Sequence, residues 1–169
     1  MTSNARGLAI GGLALVLSAA LGCSARPLAN THDSAEDLAR EVLAAFASRD
    51  DGRLRALALD EEEFRRHVWP ALPAALPERN LPFDYVWGDL YQKSDNRLRA
   101  NLSAHGGRAY QLQRLTFSGG TTEYAGFRVH RDALLEVRDA AGADVEVRLF
   151  GSAIEMGGRW KVFSFNTDD

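Results

Sequence analysis

This 169-residue chain contains little cysteine and little lysine, and it has no large surplus of either charge. A single cysteine excludes an internal disulfide and any zinc site built from several cysteines. The 20 basic and 23 acidic residues give a net charge of −3, which argues against a nucleic-acid-binding protein, because such domains carry a basic surface. Charged residues make up 25% of the chain and hydrophobic residues 46%, so we expect a folded domain.

Proline is absent after residue 82, which is what a continuous sheet in the second half of the chain requires. Pro70, Pro73, Pro77 and Pro82 are concentrated in residues 69–82. This spacing excludes a regular helix or a central strand there, and predicts an extended crossing or a lid. The four histidines are scattered along the sequence, so we expect no metal site, and no motif indicates a cofactor.

An apolar stretch without charge lies near the N-terminus, over residues 8–21, and follows the single basic residue Arg6. Its 14 residues are fewer than the roughly 20 that a membrane-spanning helix needs. A positive start followed by an apolar run of this length is typical of a secretory signal peptide. The run ends at Ala20-Leu21-Gly22-Cys23, which contains the only cysteine of the chain.

This junction resembles the lipobox of bacterial lipoproteins, whose core is the Gly22-Cys23 pair; Ala20 and Leu21 stand in the reverse of the family's preferred order. The resemblance implies that the Cys23 thiol receives diacylglycerol, that the leader is cut before it, and that the new N-terminus is acylated. Ser24, where an Asp would signal retention at the inner membrane, implies the periplasmic side of the outer membrane. The alternative is an ordinary secretory leader with a chance cysteine.

The remaining chain is predicted to form one domain. We expect a signal peptide over residues 1–22, a lipidated tether over residues 23–33 and a single α+β domain over residues 34–169. Apolar spacing predicts helices at about 34–48 and 83–104.

Two shorter helices are predicted between these. One is centred near Leu54, and the other begins at Asp60, with Glu63 in the position of a capping box. The sequence His105-Gly106-Gly107 is expected to end the long helix.

After residue 107 the apolar residues alternate, as they do in strands. The pattern predicts a four-stranded antiparallel meander, with a bulge where the phase changes between Leu112 and Leu115. Helices followed by a meander predict an α+β fold in which the helices, including the long one, pack on one face of a curved sheet. We also expect Trp87 and Trp160 to be buried between helix and sheet.

This order of elements resembles the nuclear transport factor two-like (cystatin-like) superfamily over residues 34–167. The resemblance implies a cone-like roll with a cup between the long helix and the sheet. The superfamily contains isomerases, dehydratases and non-catalytic binding proteins, so it does not by itself decide the activity.

Several residues could take part in acid–base chemistry in such a cup. The candidates are Asp84 with Tyr91, His67 with Trp69, and His130. Each also has a structural interpretation. Asp84 can complement a helix N-terminus, His67 can lie at a helix C-terminus, and His130 is expected to face solvent.

Four aromatic residues gather around the proline-rich segment: Trp69, Tyr85, Trp87 and Tyr91. They could wall the mouth of a site for a planar or apolar ligand. Alternatively, they pack on the prolines and close the core.

We therefore predict a lipid-anchored binding module whose partner is a protein or a small apolar ligand. Its contact with the membrane would be made through the lipid on Cys23. The alternative function is a small cone-fold enzyme of isomerase, dehydratase or hydrolase type, with His67, Asp84 or Tyr91 in the cup.

Overall fold

The structure, a computed structural model, describes residues 28–167. The predicted leader over residues 1–22 and the lipidation site Cys23 lie outside the described residues. Within the described range, no helix has both the length and the apolar character needed to cross a membrane.

Helical elements occupy the first half of the described chain. They are α1 (Ala35–Ser48), α2 (Asp51–Leu57), α3 (Glu61–Glu63), a π-helical turn (Phe64–Val68), three 3-10 turns (Trp69–Ala71, Pro73–Ala75, Pro77–Arg79) and α4 (Phe83–His105). The start of α3 carries the predicted capping box: the Glu63 amide donates to the Asp60 side chain, and the Asp60 amide donates to Glu63. This prediction is confirmed.

The proline-rich segment was expected to form an extended crossing or a lid. The structure instead shows a series of three 3-10 turns there. Each turn has a proline at its first or second position, where the missing N–H costs no hydrogen bond. Leu72 and Leu76 between the turns adopt extended backbone, the conformation favoured before proline. The prolines therefore allow single turns while preventing a longer helix.

Seven antiparallel strands follow α4. They are β1 (Gln111–Phe117), β2 (Thr121–Tyr124), β3 (Phe127–Arg131), β4 (Ala133–Arg138), β5 (Asp144–Val147), β6 (Ser152–Met156) and β7 (Arg159–Ser164). They form one sheet of order β1-β4-β5 and a second of order β2-β3-β6-β7. The α+β class is confirmed, and so is the bulge, which lies between Leu112 and Arg114.

The predicted number of four strands is wrong, because the chain passes from one sheet to the other at three bends and begins a new strand after each of them. The bends lie at Gly119-Gly120, at Asp132, whose φ is +57°, and at Gly151. Backbone hydrogen bonds span these bends: Gly119 N–H donates to Arg131 O at 3.1 Å, and Ala133 N–H donates to Gly151 O at 3.1 Å. The two sheets are therefore joined by the chain and by hydrogen bonds.

The buried side chains form two clusters. The first joins α1, α2 and α4 to both sheets and is centred on Phe46, Leu98 and Phe150. The second lies between the second sheet and the segment from α3 to the start of α4, and includes Phe64 and Ile154.

The two tryptophans expected to be buried are only half-buried. Trp160 packs at the border of the first cluster and Trp87 at the border of the second. The prediction of full burial is wrong because apolar alternation identifies the face of an element but not how far its neighbours cover it.

The tether predicted over residues 23–33 is wrong from Leu28 onward, because these residues pack on the domain. Leu28 is buried in the second cluster. The Ala29 amide donates to Glu63 at 2.7 Å, and the Ala29 carbonyl accepts from Lys161 at 2.8 Å. His32 and Trp160 exchange two backbone hydrogen bonds of 2.8 Å. We call residues 28–33 the N-terminal arm.

Candidate functional site

The structure brings most of the predicted aromatic residues into a row beside the start of α4. The ring of Trp69 lies 5.6 Å from that of Phe83, and Trp87 lies 5.2 Å from Phe64 and 5.8 Å from Tyr91. Tyr85 is not part of this row, because its side chain leaves the same helix toward solvent and is 68% exposed. The row therefore packs the helix against the second cluster.

A narrow cleft runs between this row and the sheet, and we call it the α4 cleft. Its walls come from α2, α4 and β7, and include Leu59, Trp87, Tyr91 and Phe163. The cavity volume is about 50 Å³. A dry cavity of roughly 150 Å³ is known to hold one benzene molecule, so the α4 cleft is too small for a planar ligand without rearrangement. Side chains fill the predicted cup.

The polar edge of the α4 cleft is already internally paired. The Arg55 guanidinium donates to Asp51 at 2.8 Å and also to Asp95, which accepts from Arg99 at 2.9 Å. The hydrogen bonds raise the pKa of Arg55, and the one to Asp51 has the larger effect, followed by the one to Asp95. The neighbouring Ser94 hydroxyl accepts from the Phe165 amide at 2.9 Å. These groups fasten α2 and β7 to α4 and leave little polar capacity for a ligand.

The predicted pairing of Asp84 with Tyr91 is wrong. Asp84 lies in the first turn of α4 with its side chain 89% exposed, and it accepts from Arg65 at 3.4 Å. Seven residues along a helix span about 10 Å, which places Tyr91 two turns away. Asp84 therefore complements the helix N-terminus and the adjacent arginine.

His67 is half-buried in the π-helical turn, two residues before Trp69. It lines neither the α4 cleft nor the groove described below. The structure therefore places none of the three predicted catalytic candidates, His67, Asp84 and Tyr91, in a shared acid–base pair.

His130 was expected to face solvent, but its side chain is largely buried. Its Nε2 lies 3.1 Å from Glu155 Oε2, and its Nδ1 lies 2.9 Å from the Thr121 hydroxyl. The imidazole also lies 4.6 Å from the Trp160 ring and 5.3 Å from that of Phe117. These contacts hold neighbouring strands together on the face of the second sheet, which alternation alone could not distinguish from an exposed position.

A larger opening lies at the far end of α4, around Tyr110, and we call it the Tyr110 groove. One lobe of about 640 Å³ lies between the end of α4 and the β4–β5 turn, and is lined in part by Ala141, Val145 and Val147. A second lobe of about 390 Å³ runs along α1 beside the start of β1. Both lobes fall within the 300–1,000 Å³ typical of small-molecule sites.

The Tyr110 groove contains a pair of side chains within hydrogen-bond distance of each other, and Arg40, Arg108 and Asp139 also line it. The Nδ1 of His105 lies 3.1 Å from the Tyr110 hydroxyl, and which group donates depends on the imidazole tautomer. Burial lowers the pKa of His105, and the positive charge of Arg108 lowers it further by a smaller amount. A neutral imidazole can both donate and accept, so the pair can bind a hydroxyl, an amide or a carboxylic group.

Sequence reasoning missed this pair because each residue had a sufficient local explanation. His105 stands where a helix end was predicted, and Tyr110 stands at the start of a predicted strand. The available signal was their separation of five residues across a tight Gly106-Gly107 connection, which can bring both side chains to one edge.

No metal centre accompanies these groups: among residues 28–167, no three His, Cys, Asp or Glu side chains are placed to hold a metal ion. The chain matches no protein-family model, and comparisons with curated proteins and with solved structures find no significant match.

Proposed function

We propose that the protein is a lipid-anchored binding module on the periplasmic side of the bacterial outer membrane. Acylation of Cys23 supplies the attachment, and the domain beyond the N-terminal arm supplies the binding surface. The sequence Ala20-Leu21-Gly22-Cys23 after an uncharged run supports the anchor. More than one acyl chain is sufficient for stable membrane attachment without a basic patch.

The Tyr110 groove is the binding site in this proposal. The observation that carries it is the contrast between the groove, with lobes of 640 and 390 Å³, and the α4 cleft of 50 Å³. The apolar walls would take the body of a small planar or branched ligand. The His105–Tyr110 pair would orient one polar group of that ligand, since a few placed polar groups give such sites their specificity.

Replacing Cys23 with Ala should abolish lipid attachment and with it the mature, lipid-anchored form of the protein. Without the thiol no thioether to diacylglycerol can form, so the lipoprotein peptidase should leave the leader uncut. The measurement is detergent phase partitioning together with the intact mass of the product. Recovery of a mature Cys23→Ala protein in the detergent phase would contradict the lipid anchor.

Removing the Tyr110 hydroxyl should weaken ligand binding at the groove. The probe is a set of small aromatic fragments that each carry one polar group: indole, phenol and benzoate. We expect them to shift the NMR signals of the His105 and Tyr110 rings. Tyr110→Phe should weaken binding about two- to tenfold, the value of one net hydrogen bond.

The matched control is Tyr85→Phe, which removes a hydroxyl from an exposed tyrosine of α4 outside the groove. It should leave fragment affinity unchanged. If the fragments shift Trp87 and Tyr91 instead, the α4 cleft opens on binding and the groove is the wrong site.

A further inference from the structure

Exposed apolar side chains are concentrated in the last proline-rich turns and the start of α4, and we call this segment, residues 76–85, the apex. In the described part of the chain, five large hydrophobic side chains are exposed, and three of them lie within ten residues. These are Leu76, Leu81 and Tyr85, at 47%, 41% and 68% exposure. The half-buried Trp69 and Leu72 belong to the same turns. A local concentration of large exposed apolar side chains favours a role for this segment as a contact surface.

The N-terminal arm reaches the domain close to this apex. The Ala29 amide donates to Glu63, and the ring of the next residue, Phe64, lies 6.0 Å from that of Phe83 in a tilted arrangement. Phe83 in turn contacts the Trp69 ring at 5.6 Å. A short series of direct contacts therefore connects the point where the arm docks to the turns that carry the apex.

The arm is held firmly at this point. Arg159 donates to the Thr31 hydroxyl at 3.0 Å and to the Thr31 carbonyl at 2.8 Å, and it also pairs with Asp33. Leu28 is buried, so the arm is fixed on the domain from its first residue. Five steps separate Cys23 from Leu28, which span at most about 18 Å when fully extended.

We infer that the apex lies on the phospholipid bilayer into which the Cys23 acyl chains insert. The inference rests on the lipid anchor of the proposed function. An anchor no longer than about 18 Å holds the docked arm beside the membrane surface. Leucine, tryptophan and tyrosine side chains are the ones that enter the interfacial region of a bilayer.

The charged side chains around the apex neither repel a bilayer strongly nor supply a basic patch that would bind it. Arg65 lies with its guanidinium carbon 3.6 Å from the centre of the Phe83 ring and pairs with Glu61 at 2.8 Å. Arg66 pairs with Glu62. Arg65 and Arg66 therefore already have carboxylate partners. The exposed Glu78 and Arg79, between Leu76 and Leu81, add one charge of each sign, so the contact depends on the apolar side chains of the apex and not on a net positive charge.

This orientation also places the Tyr110 groove away from the bilayer. Helix α4 begins at Phe83 beside the apex and ends at His105 in the groove. Its 23 residues span about 33 Å, which separates the groove from the apex by the length of the helix.

The test uses the acylated protein in vesicles of phosphatidylethanolamine and phosphatidylglycerol. Acylation of the only native cysteine leaves no free thiol, so an introduced cysteine takes an environment-sensitive dye at one position. The apex positions are Leu76→Cys and Leu81→Cys. The control is Ala104→Cys, which is exposed near the other end of α4.

We expect the dye at residues 76 and 81 to emit at shorter wavelength and to be quenched by nitroxide-labelled lipid. The dye at residue 104 should behave as in water. If all three positions behave alike while the protein floats with the vesicles, the anchor stands and the apex inference is overturned. If mass spectrometry finds Cys23 unmodified and the protein does not float, the lipid anchor itself fails and the inference with it.

Discussion

Replacing Lys161 with Met should lower the free energy of unfolding by about 3–5 kcal/mol, the usual effect of removing one partner from a buried ion pair. Lys161 is 2% exposed, and its ammonium group lies 2.9 and 3.0 Å from the two oxygens of the buried Glu63 carboxylate. The third ammonium proton is donated to Ala29 O at 2.8 Å. Met fills a similar volume but leaves the Glu63 charge without a cation.

The chain supplies a matched control, because its only other lysine is at the surface. Lys93 pairs with Asp89 at 2.9 Å, and both side chains are about half exposed. Lys93→Met should therefore change stability by less than about 1 kcal/mol. Urea denaturation at pH 7 measures both variants.

A second variant tests the mechanism. Adding Glu63→Gln to Lys161→Met removes the unpaired charge, and the amide can still accept from Ala29, so part of the lost stability should return. If the double variant is less stable than the single one, or if Lys161→Met costs under about 1 kcal/mol, the pair does not secure the arm.

The sequence predicts the features that depend on residues close together in the chain. Asp60 and Glu63 form their capping box within a single turn, so four residues contain the whole signal. The bulge near Leu112 appears as a change of phase within one strand. The ends of α4 follow from Pro82 and Gly106, which act on the adjacent backbone.

Features that depend on distant pairings could not be predicted. Glu63 has a complete local role as a cap, and nothing near it indicates that Lys161, 98 residues later, shares its carboxylate. The division of the meander into two sheets depends on bends at positions such as Gly151, whose neighbours come from β7 and the residues after it.

The candidate site shows the same limit. Trp87 and Tyr91 lie near one another because they share a helix face at a spacing of four residues. How large a cavity lies beside them depends on Phe163 in β7 and Phe165 just after it, which line the narrow α4 cleft. Aromatic spacing predicts which side chains meet but not how much volume remains between them.

Gly151→Ala should destabilise the protein by about 3 kcal/mol, the upper end of the range for inserting a methyl group into packed structure. A Cβ at this position would lie 1.5 Å from the Asn166 carbonyl oxygen and 2.4 Å from its carbon. Both are backbone atoms, so no rotamer change can relieve the overlap. Gly151 is also fixed on both sides, since its N–H donates to Ser164 O at 3.0 Å and its carbonyl accepts from Ala133 at 3.1 Å.

Gly88→Ala is the matched control and should change stability in the opposite direction. Gly88 lies within α4, and a Cβ there would meet nothing within 4 Å. Alanine at an exposed helix position should stabilise the fold by about 0.5–1 kcal/mol. Thermal and urea denaturation of the two variants measure the contrast. A Gly151→Ala protein as stable as the unsubstituted one would mean that residues 166–167 do not pack against the bend between the two sheets. That bend would then not depend on glycine.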